Sequence, residues 1–137
     1  MAKLVGKWKL DRSENFEEYM KALGVSVFIR KAALIMPNPT CEIEHPDDIQ
    51  FVIVMNVPVV MKHVQKFTLG VPFEDMIPNG DMQMTVVSQE GDTKLTFREE
   101  VEGDEPHVVT RELVDGEMVM VLKKGNTTCK RVFTRVK

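Results

Sequence analysis

The feature that most constrains the fold is a series of short apolar runs separated by turn sequences. In the second half of the chain, runs of six to nine residues are rich in Val, Met, Phe and Thr. The turns between them are Glu90-Gly91-Asp92, Glu102-Gly103-Asp104, Asp115-Gly116 and Lys124-Gly125-Asn126. Asp115-Gly116 is the firmest, because both central residues of a type I′ turn need a positive φ, which Asp and Gly tolerate. The spacing predicts successive antiparallel hairpins.

Residues 16–36 follow a helical pattern instead. Apolar side chains recur at helical spacing on both sides of Gly24, at Phe16, Tyr19, Met20, Leu23, Phe28, Ala32 and Ile35. Asn15 can cap the first helix, and the two glutamates in its first turn suit the helix dipole. The pattern predicts a pair of short helices after the first strand.

An antiparallel sheet of this size has to protect its edges, and closure into a barrel removes them. The chain has 137 residues, 43% of them apolar, which fits a single domain over residues 1–137. The helix pair can cover one mouth of such a barrel. Beyond about eight strands the side chains need not fill the interior, so a ligand cavity becomes possible.

Charge and composition exclude several function classes. The formal net charge of −3 gives no global attraction for nucleic acid, so we expect no nucleic-acid partner. The N-terminus lacks the apolar run of a secretory signal, and no segment has the length of a membrane span, so we expect a cytosolic protein. In that compartment Cys41 and Cys129 should remain thiols.

Four segments of the chain resemble one known family. Residues 6–25 are similar to the signature of the intracellular lipid-binding proteins, which include the fatty-acid-binding and cellular retinoid-binding proteins. Residues 66–70, 110–116 and 128–133 also resemble that family, so the resemblance covers the whole chain. Residues 55–61 are slightly longer than the family's usual hairpin near the cavity entrance.

The resemblance implies an all-β fold, a ten-stranded antiparallel up-and-down β-barrel (β-clam) capped by a helix-turn-helix. It implies a largely apolar ligand cavity, a monomer, no cofactor and no catalytic residues. The expected function is intracellular binding and transport of a long-chain fatty acid or related hydrophobic carboxylate. A retinoid carrier of the same fold, and a structural or signalling module whose helix face binds a protein, are the alternatives.

Strand alternation makes a separate case for a buried anion site. In residues 107–114 the more apolar face is formed by Val109, Arg111 and Leu113. In the last strand Arg131 shares a face with Cys129 and Phe133. Because a guanidinium keeps its proton, two inward arginines favour an ionised carboxylate as their partner. Arg111 and Arg131 also match the family's carboxylate-binding arginines.

The hairpin registers predict how close the two arginines come. A two-residue loop at Asp115-Gly116 sets Arg111 opposite Met120, and one at Lys124-Gly125 sets Met120 opposite Cys129. The two arginine Cα atoms should then lie roughly 12 Å apart. The alternative is that both arginines pair with inward acids such as Glu99.

The remaining candidate ligand contacts come from the resemblance and from strand alternation. Many family members carry Tyr two residues after the second arginine, whereas this chain has Phe133, which can only pack and should shift the carboxylate toward Arg111. Helix positions that match cavity-facing positions of the family are Phe16, Met20, Ile29 and Ala33. Val109, Met120 and Leu122 should line the barrel wall.

Other residue groups carry less chemistry. His45, His63 and His107 are scattered, and no Cys or His spacing resembles a zinc site, so we expect no metal. Family members with basic residues at the positions of Lys21, Arg30 and Lys31 use them for contact with anionic membranes or for nuclear import. Ordinary surface charges are an equally good interpretation of these three residues.

Overall fold

The computed structural model describes residues 2–35, 38–57, 61–102 and 105–137. Within these ranges the chain forms ten strands and two α-helices, after a short 3-10 turn at Ala2–Leu4. The helices are α1 (Phe16–Ala22) and α2 (Val27–Ile35). The strands are β1 (Gly6–Glu14), β2 (Thr40–Asp47), β3 (Gln50–Val57), β4 (Met61–Thr68), β5 (Phe73–Met76), β6 (Met82–Glu90), β7 (Lys94–Glu99), β8 (Val108–Val114), β9 (Glu117–Lys124) and β10 (Thr127–Arg135).

All ten strands belong to one antiparallel sheet. The spatial order is β4-β3-β2-β1-β10-β9-β8-β7-β6-β5, so only the β1–β10 contact joins strands distant in sequence. The sheet curls until its two edge strands, β4 and β5, face each other. The predicted fold, an up-and-down barrel capped by a helix pair, is therefore confirmed.

Side chains bridge the seam between the edge strands β4 and β5. The rings of Phe67 on β4 and Phe73 on β5 stack with centroids 5.4 Å apart. One position further along, Gln65 Nε2 donates to both carboxylate oxygens of Asp75, at 3.1 and 3.0 Å. The barrel is thus closed by packing and by side-chain hydrogen bonds at this seam.

The end of the barrel away from the helices is a packed core. Trp8 on β1 and Leu4 are fully buried, and Trp8 Nε1 donates to the Leu4 carbonyl oxygen at 3.0 Å. The guanidinium carbon of Arg135 lies 4.1 Å from the Trp8 ring centroid, a cation–π contact. Phe67 is the centre of an aromatic cluster here, with the Phe51 and Phe97 rings 5.6 and 5.3 Å away.

The two helices differ in how they meet the barrel. α1 buries Tyr19 and Met20 against the sheet, whereas no residue of α2 is buried. Phe28 and Ile35 of α2 are 82% and 81% exposed. α1 is therefore anchored by its own apolar face, and α2 rests over the mouth with apolar side chains in solvent.

The predicted cap of α1 is wrong in its chemistry. Asn15 does precede the helix, but its side chain makes no capping hydrogen bond and its backbone is left-handed, with a φ of 64°. Its Nδ2 instead donates to the Thr128 carbonyl oxygen at 3.0 Å. Asn15 therefore fastens the start of α1 to β10.

Three further expectations concern thiols, metals and membranes. Cys41 and Cys129 are both buried free thiols. In the described ranges, no three His, Cys, Asp or Glu side chains group closely enough to hold a metal ion. None of the helices described here has the length and apolarity that a bilayer crossing needs.

The Asp115-Gly116 turn offers a test of the register that positions β8 against β9. Both residues have positive φ, 50° and 82°, as a type I′ turn requires. Gly116→Ala should lower the free energy of unfolding by about 1 kcal/mol, because an L side chain is strained at that φ. Asp115→Asn is the matched control and should change it by less than about 0.5 kcal/mol, since Asn tolerates positive φ. Equal urea-unfolding midpoints for the two variants would contradict this account.

Candidate ligand cavity

A cavity of about 320 Å³ lies inside the barrel beneath the helix pair. This volume is within the range of small-molecule sites, about 300–1,000 Å³. The sequence-predicted residues that line it are Phe16, Ile29, Ala33, Val109, Arg111, Met120, Leu122 and Arg131. Residues from α1, α2 and the barrel wall therefore converge on one apolar space that contains two arginines.

Met20 and Phe133 are placed differently from the prediction. Neither lies on the cavity wall, and both belong to the packed core, with exposures of 2% and 0%. Met20 lies on the face of α1 that packs against the sheet. Phe133 pairs with Leu10 and Met118, one inward position beyond Arg131. Strand alternation correctly predicted that Phe133 points inward, but packed side chains fill this layer of the barrel.

The registers align the two arginines more closely than predicted. Arg111 pairs with Met120, as expected from the first hairpin. Met120 pairs with Arg131 and not with Cys129, because the second two-residue loop is Gly125-Asn126. Arg111, Met120 and Arg131 therefore form one row across β8, β9 and β10. Two strand spacings put the arginine Cα atoms about 10 Å apart.

Arg111 is buried without a carboxylate partner among the described residues. Its side chain is 3% exposed, and within the same ranges its Nε has no hydrogen-bond partner. Nη1 lies 3.7 Å from Cys41 Sγ, a weak contact, and the guanidinium carbon lies 5.5 Å from the Phe97 ring centroid. Burial raises the pKa of Cys41, although Arg111 acts against that shift. A neutral thiol leaves the charge of Arg111 uncompensated.

Arg131 is held by neutral groups. Its Nε donates to Ser13 Oγ at 3.1 Å, and its guanidinium carbon lies 3.8 Å from the Phe16 ring centroid. Burial lowers the pKa of Arg131 to about 10, so the side chain remains a cation at neutral pH. Arg131 therefore brings a second positive charge to the cavity.

The alternative pairing with Glu99 is wrong. Glu99 Oε1 accepts the His107 backbone N–H at 3.0 Å and lies 3.6 Å from Lys124 Nζ. Across the described part of the chain, no carboxylate forms a salt bridge with Arg111 or Arg131. Two cations thus face a largely apolar space, and no anion of the described residues lies beside them.

Sequence reasoning missed a chain of hydrogen bonds at the helix end of the cavity. Gln83 Nε2 donates to Thr85 Oγ1 at 3.0 Å, so Gln83 Oε1 is free to accept from His107 Nδ1, also at 3.0 Å. His107 Nε2 then accepts the Tyr19 hydroxyl at 2.5 Å. Burial lowers the pKa of His107 and raises that of Tyr19, which favours the neutral form of both. The signal in the sequence was the inward pair Gln83 and Thr85, two residues apart on one strand.

Comparison with known proteins now identifies the family. The model of the lipocalin / cytosolic fatty-acid binding protein family matches residues 5–136. The chain belongs to this family. Cellular retinoic acid-binding protein 2 of Rattus norvegicus is 33% identical over 98% of this chain and 99% of its own. Fatty acid-binding protein homolog 6 of Caenorhabditis elegans is 33% identical over 96% of each chain.

Solved structures of the lipocalin / cytosolic fatty-acid binding protein family agree with the fold. The REP1-NXSQ fatty acid transporter superposes with a TM-score of 0.90 at 33% identity, over 100% of this chain and 98% of that one. The Schistosoma mansoni fatty acid binding protein in complex with arachidonic acid superposes with a TM-score of 0.89 at 26% identity, over 100% and 98%. The barrel and its helical cap are therefore shared along the full length.

The two cavity arginines of this family member should contribute unequally to binding a carboxylate. Arg111→Gln should weaken oleate binding by about tenfold or more, because the variant loses the charge-assisted contact that the free Nε of Arg111 can make with the carboxylate. Arg131→Gln should weaken binding less, since Ser13 and Phe16 already occupy that guanidinium. Displacement of a fluorescent fatty acid by oleate measures both affinities.

Arg98→Gln is the matched control, because Arg98 lies exposed on β7. It should leave oleate affinity unchanged. Circular dichroism must show that each variant is folded, and removal of a buried charge can itself raise stability. A larger loss for Arg131→Gln than for Arg111→Gln would overturn the assignment of the primary contact.

Proposed function

We propose that this protein binds and transports a long-chain fatty acid, or a related hydrophobic carboxylate, inside the barrel. The observation that carries the proposal is the buried Arg111 guanidinium, whose Nε has no hydrogen-bond partner among the described residues, with Arg131 beside it on the wall of a largely apolar cavity. A ligand carboxylate supplies the missing anion, and its hydrocarbon chain occupies the apolar space.

The binding free energy favours a ligand that has both a carboxylate and a hydrocarbon chain. A charge-assisted hydrogen bond contributes about 1.5–3 kcal/mol, and each buried methylene adds about 0.8 kcal/mol. A short carboxylate lacks the second contribution and a hydrocarbon lacks the first. A carrier role needs no catalytic residue, and we expect the protein to act in the cytosol as a monomer.

Retinoic acid is the second candidate ligand, because it too joins a carboxylate to an apolar body. The rat relative carries retinoic acid in its name, and it is as similar to this chain as the nematode fatty acid-binding relative. A regulatory role is the third candidate, since Sodium/calcium exchanger regulatory protein 1 of Doryteuthis pealeii is also 33% identical. Native mass spectrometry of protein purified without detergent separates the three: a bound fatty acid, a bound retinoid, or an empty barrel that refuses both.

A direct binding measurement tests the proposed function. An anthroyloxy-labelled fatty acid should saturate delipidated protein at about one molecule per chain, because one cavity with one anion site holds one chain. Oleate should displace it and methyl oleate should do so less well, since the ester removes the charge. The absence of saturable binding to folded, delipidated protein would refute the function.

The helix pair is a candidate contact with anionic membranes, but its three basic residues are not equivalent. Lys31 is exposed, and Lys21 lies exposed beside Glu18 at 3.3 Å. Arg30 is half-buried and donates through Nη1 to the Val25 carbonyl oxygen, so it holds the turn between the helices. Only the two lysines can be removed without disturbing that turn.

Removal of the two lysines tests delivery to membranes. Lys21→Ala with Lys31→Ala should slow ligand transfer to anionic vesicles at low salt while affinity stays unchanged, because surface charge governs encounter. Lys123→Ala with Lys130→Ala, on exposed positions of β9 and β10, is the control and should transfer at the normal rate. Equal transfer rates for the two double variants would reject a role for the helix-pair lysines.

A further inference from the structure

The carboxylate of Asp75 is a further polar feature of the cavity, apart from the arginine pair and from the hydrogen-bonded chain of Gln83, His107 and Tyr19. Asp75 is 8% exposed and lines the cavity. Among the described residues, its two oxygens receive one neutral donor group, the Gln65 amide nitrogen. An aspartate carboxylate offers about four acceptor positions, so it retains capacity that the protein does not use.

The charge of Asp75 is also poorly matched by its surroundings. Within the described ranges, the basic side chain that lies within 4.0 Å of the Asp75 carboxylate is the His63 imidazole, whose Nε2 is 3.6 Å from Oδ1. That separation is longer than a hydrogen bond. A buried carboxylate with spare acceptor positions favours a hydrogen-bond donor as its neighbour.

The position of Asp75 separates it from the arginine pair. Arg111 Nη1 lies 3.7 Å from Cys41 Sγ on β2. Cys41 pairs with Met55 on β3, and Met55 pairs with His63 on β4, whose Nε2 is 3.6 Å from Asp75 Oδ1. The two strand spacings from Cys41 to His63 amount to about 10 Å. With C–C bonds of about 1.5 Å at near-tetrahedral angles, an extended acyl chain advances about 1.25 Å per bond and spans that distance in about eight bonds.

We propose that Asp75 binds a hydroxyl group carried in the middle of a fatty acyl chain. This inference rests on the proposed function, because the carboxylate of the ligand is taken to lie at Arg111 and Arg131. A hydroxyl donates a hydrogen bond to the Asp75 carboxylate. A ketone oxygen at the same carbon has only lone pairs, as the carboxylate oxygens do, so no hydrogen bond forms between them. The ligand class assigned is therefore the mid-chain hydroxy fatty acids.

The donor requirement gives a sharp test in the unmodified protein. 12-Hydroxystearate should bind about tenfold tighter than 12-oxostearate, because one donates to the carboxylate and the other is repelled by it. 2-Hydroxystearate should bind no tighter than stearate, since its hydroxyl lies beside the head group. Affinities are measured by displacement of the same labelled fatty acid.

A variant then assigns the preference to one residue. Asp75→Asn adds a donor at the same place, so the ratio of hydroxy to oxo affinity should fall toward one. Asp48→Asn, an exposed residue in the turn after β2, makes the same change of charge and should keep the full ratio.

The outcomes separate this inference from the proposed function. If stearate binds and the hydroxy and oxo acids bind equally in the unmodified protein, the Asp75 site is wrong and the carrier function stands. If the ratio persists in Asp75→Asn, the hydroxyl lies elsewhere and the assignment is overturned. If none of the acids binds folded, delipidated protein, both proposals fail. Equal binding of the hydroxy and oxo acids to the unmodified protein overturns the Asp75 site even if Asp75→Asn does not fold.

Discussion

The cavity depends on how the sheet closes between β4 and β5. Every other pair of neighbouring strands exchanges backbone hydrogen bonds, whereas these two edges meet through Phe67 and Phe73 and through Gln65 and Asp75. Backbone pairing across the seam would draw the two edges to a spacing of about 4.8 Å. Side-chain closure holds them apart and still covers the edges, which would otherwise invite pairing with another chain. The interior space is a product of this arrangement.

The positive and negative charges inside the barrel lie on different parts of its wall. Arg111 and Arg131 lie in one row on β8 and β10, while Asp75 lies at the seam. A direct ion pair between the arginines and Asp75 would use up their hydrogen-bonding positions and leave none for a ligand. Because the strands hold the two signs apart, each retains unused hydrogen-bonding capacity at a cost in desolvation. The same separated charges both lower the stability of the fold and provide hydrogen-bonding positions for a ligand.

The sequence predicted the fold because local signals agreed with one another. Asp115-Gly116 fixed one register correctly, since the chemistry of that turn admits few residue types. The next register was shifted because Gly125 tolerates positive φ at either of two positions in a turn, and the strands selected Gly125-Asn126. Residues 103–104, in another predicted turn, and residues 58–60, within the segment that is long for the family, lie outside the described residues.

The sequence predicted which residues of the candidate site face inward better than it predicted how deep in the barrel they lie. Alternation identifies Arg111, Arg131 and Phe133 as inward, but it does not distinguish a wall of the cavity from the packed layer below it, where Phe133 lies. Asp75 and His107 were missed because their roles come from partners on other elements, Gln65 on β4 and Tyr19 on α1. Contacts of that kind follow from curvature and closure, which no local pattern encodes.

Trp8 gives this barrel a built-in optical reporter. It is the single tryptophan of the chain, fully buried, hydrogen-bonded to Leu4 and covered by Arg135 from the last strand. It does not line the cavity. The indole instead registers whether β1 and β10, the two ends of the chain, have come together. In protein without the labelled fatty acid, intrinsic fluorescence thus offers a measure of barrel closure.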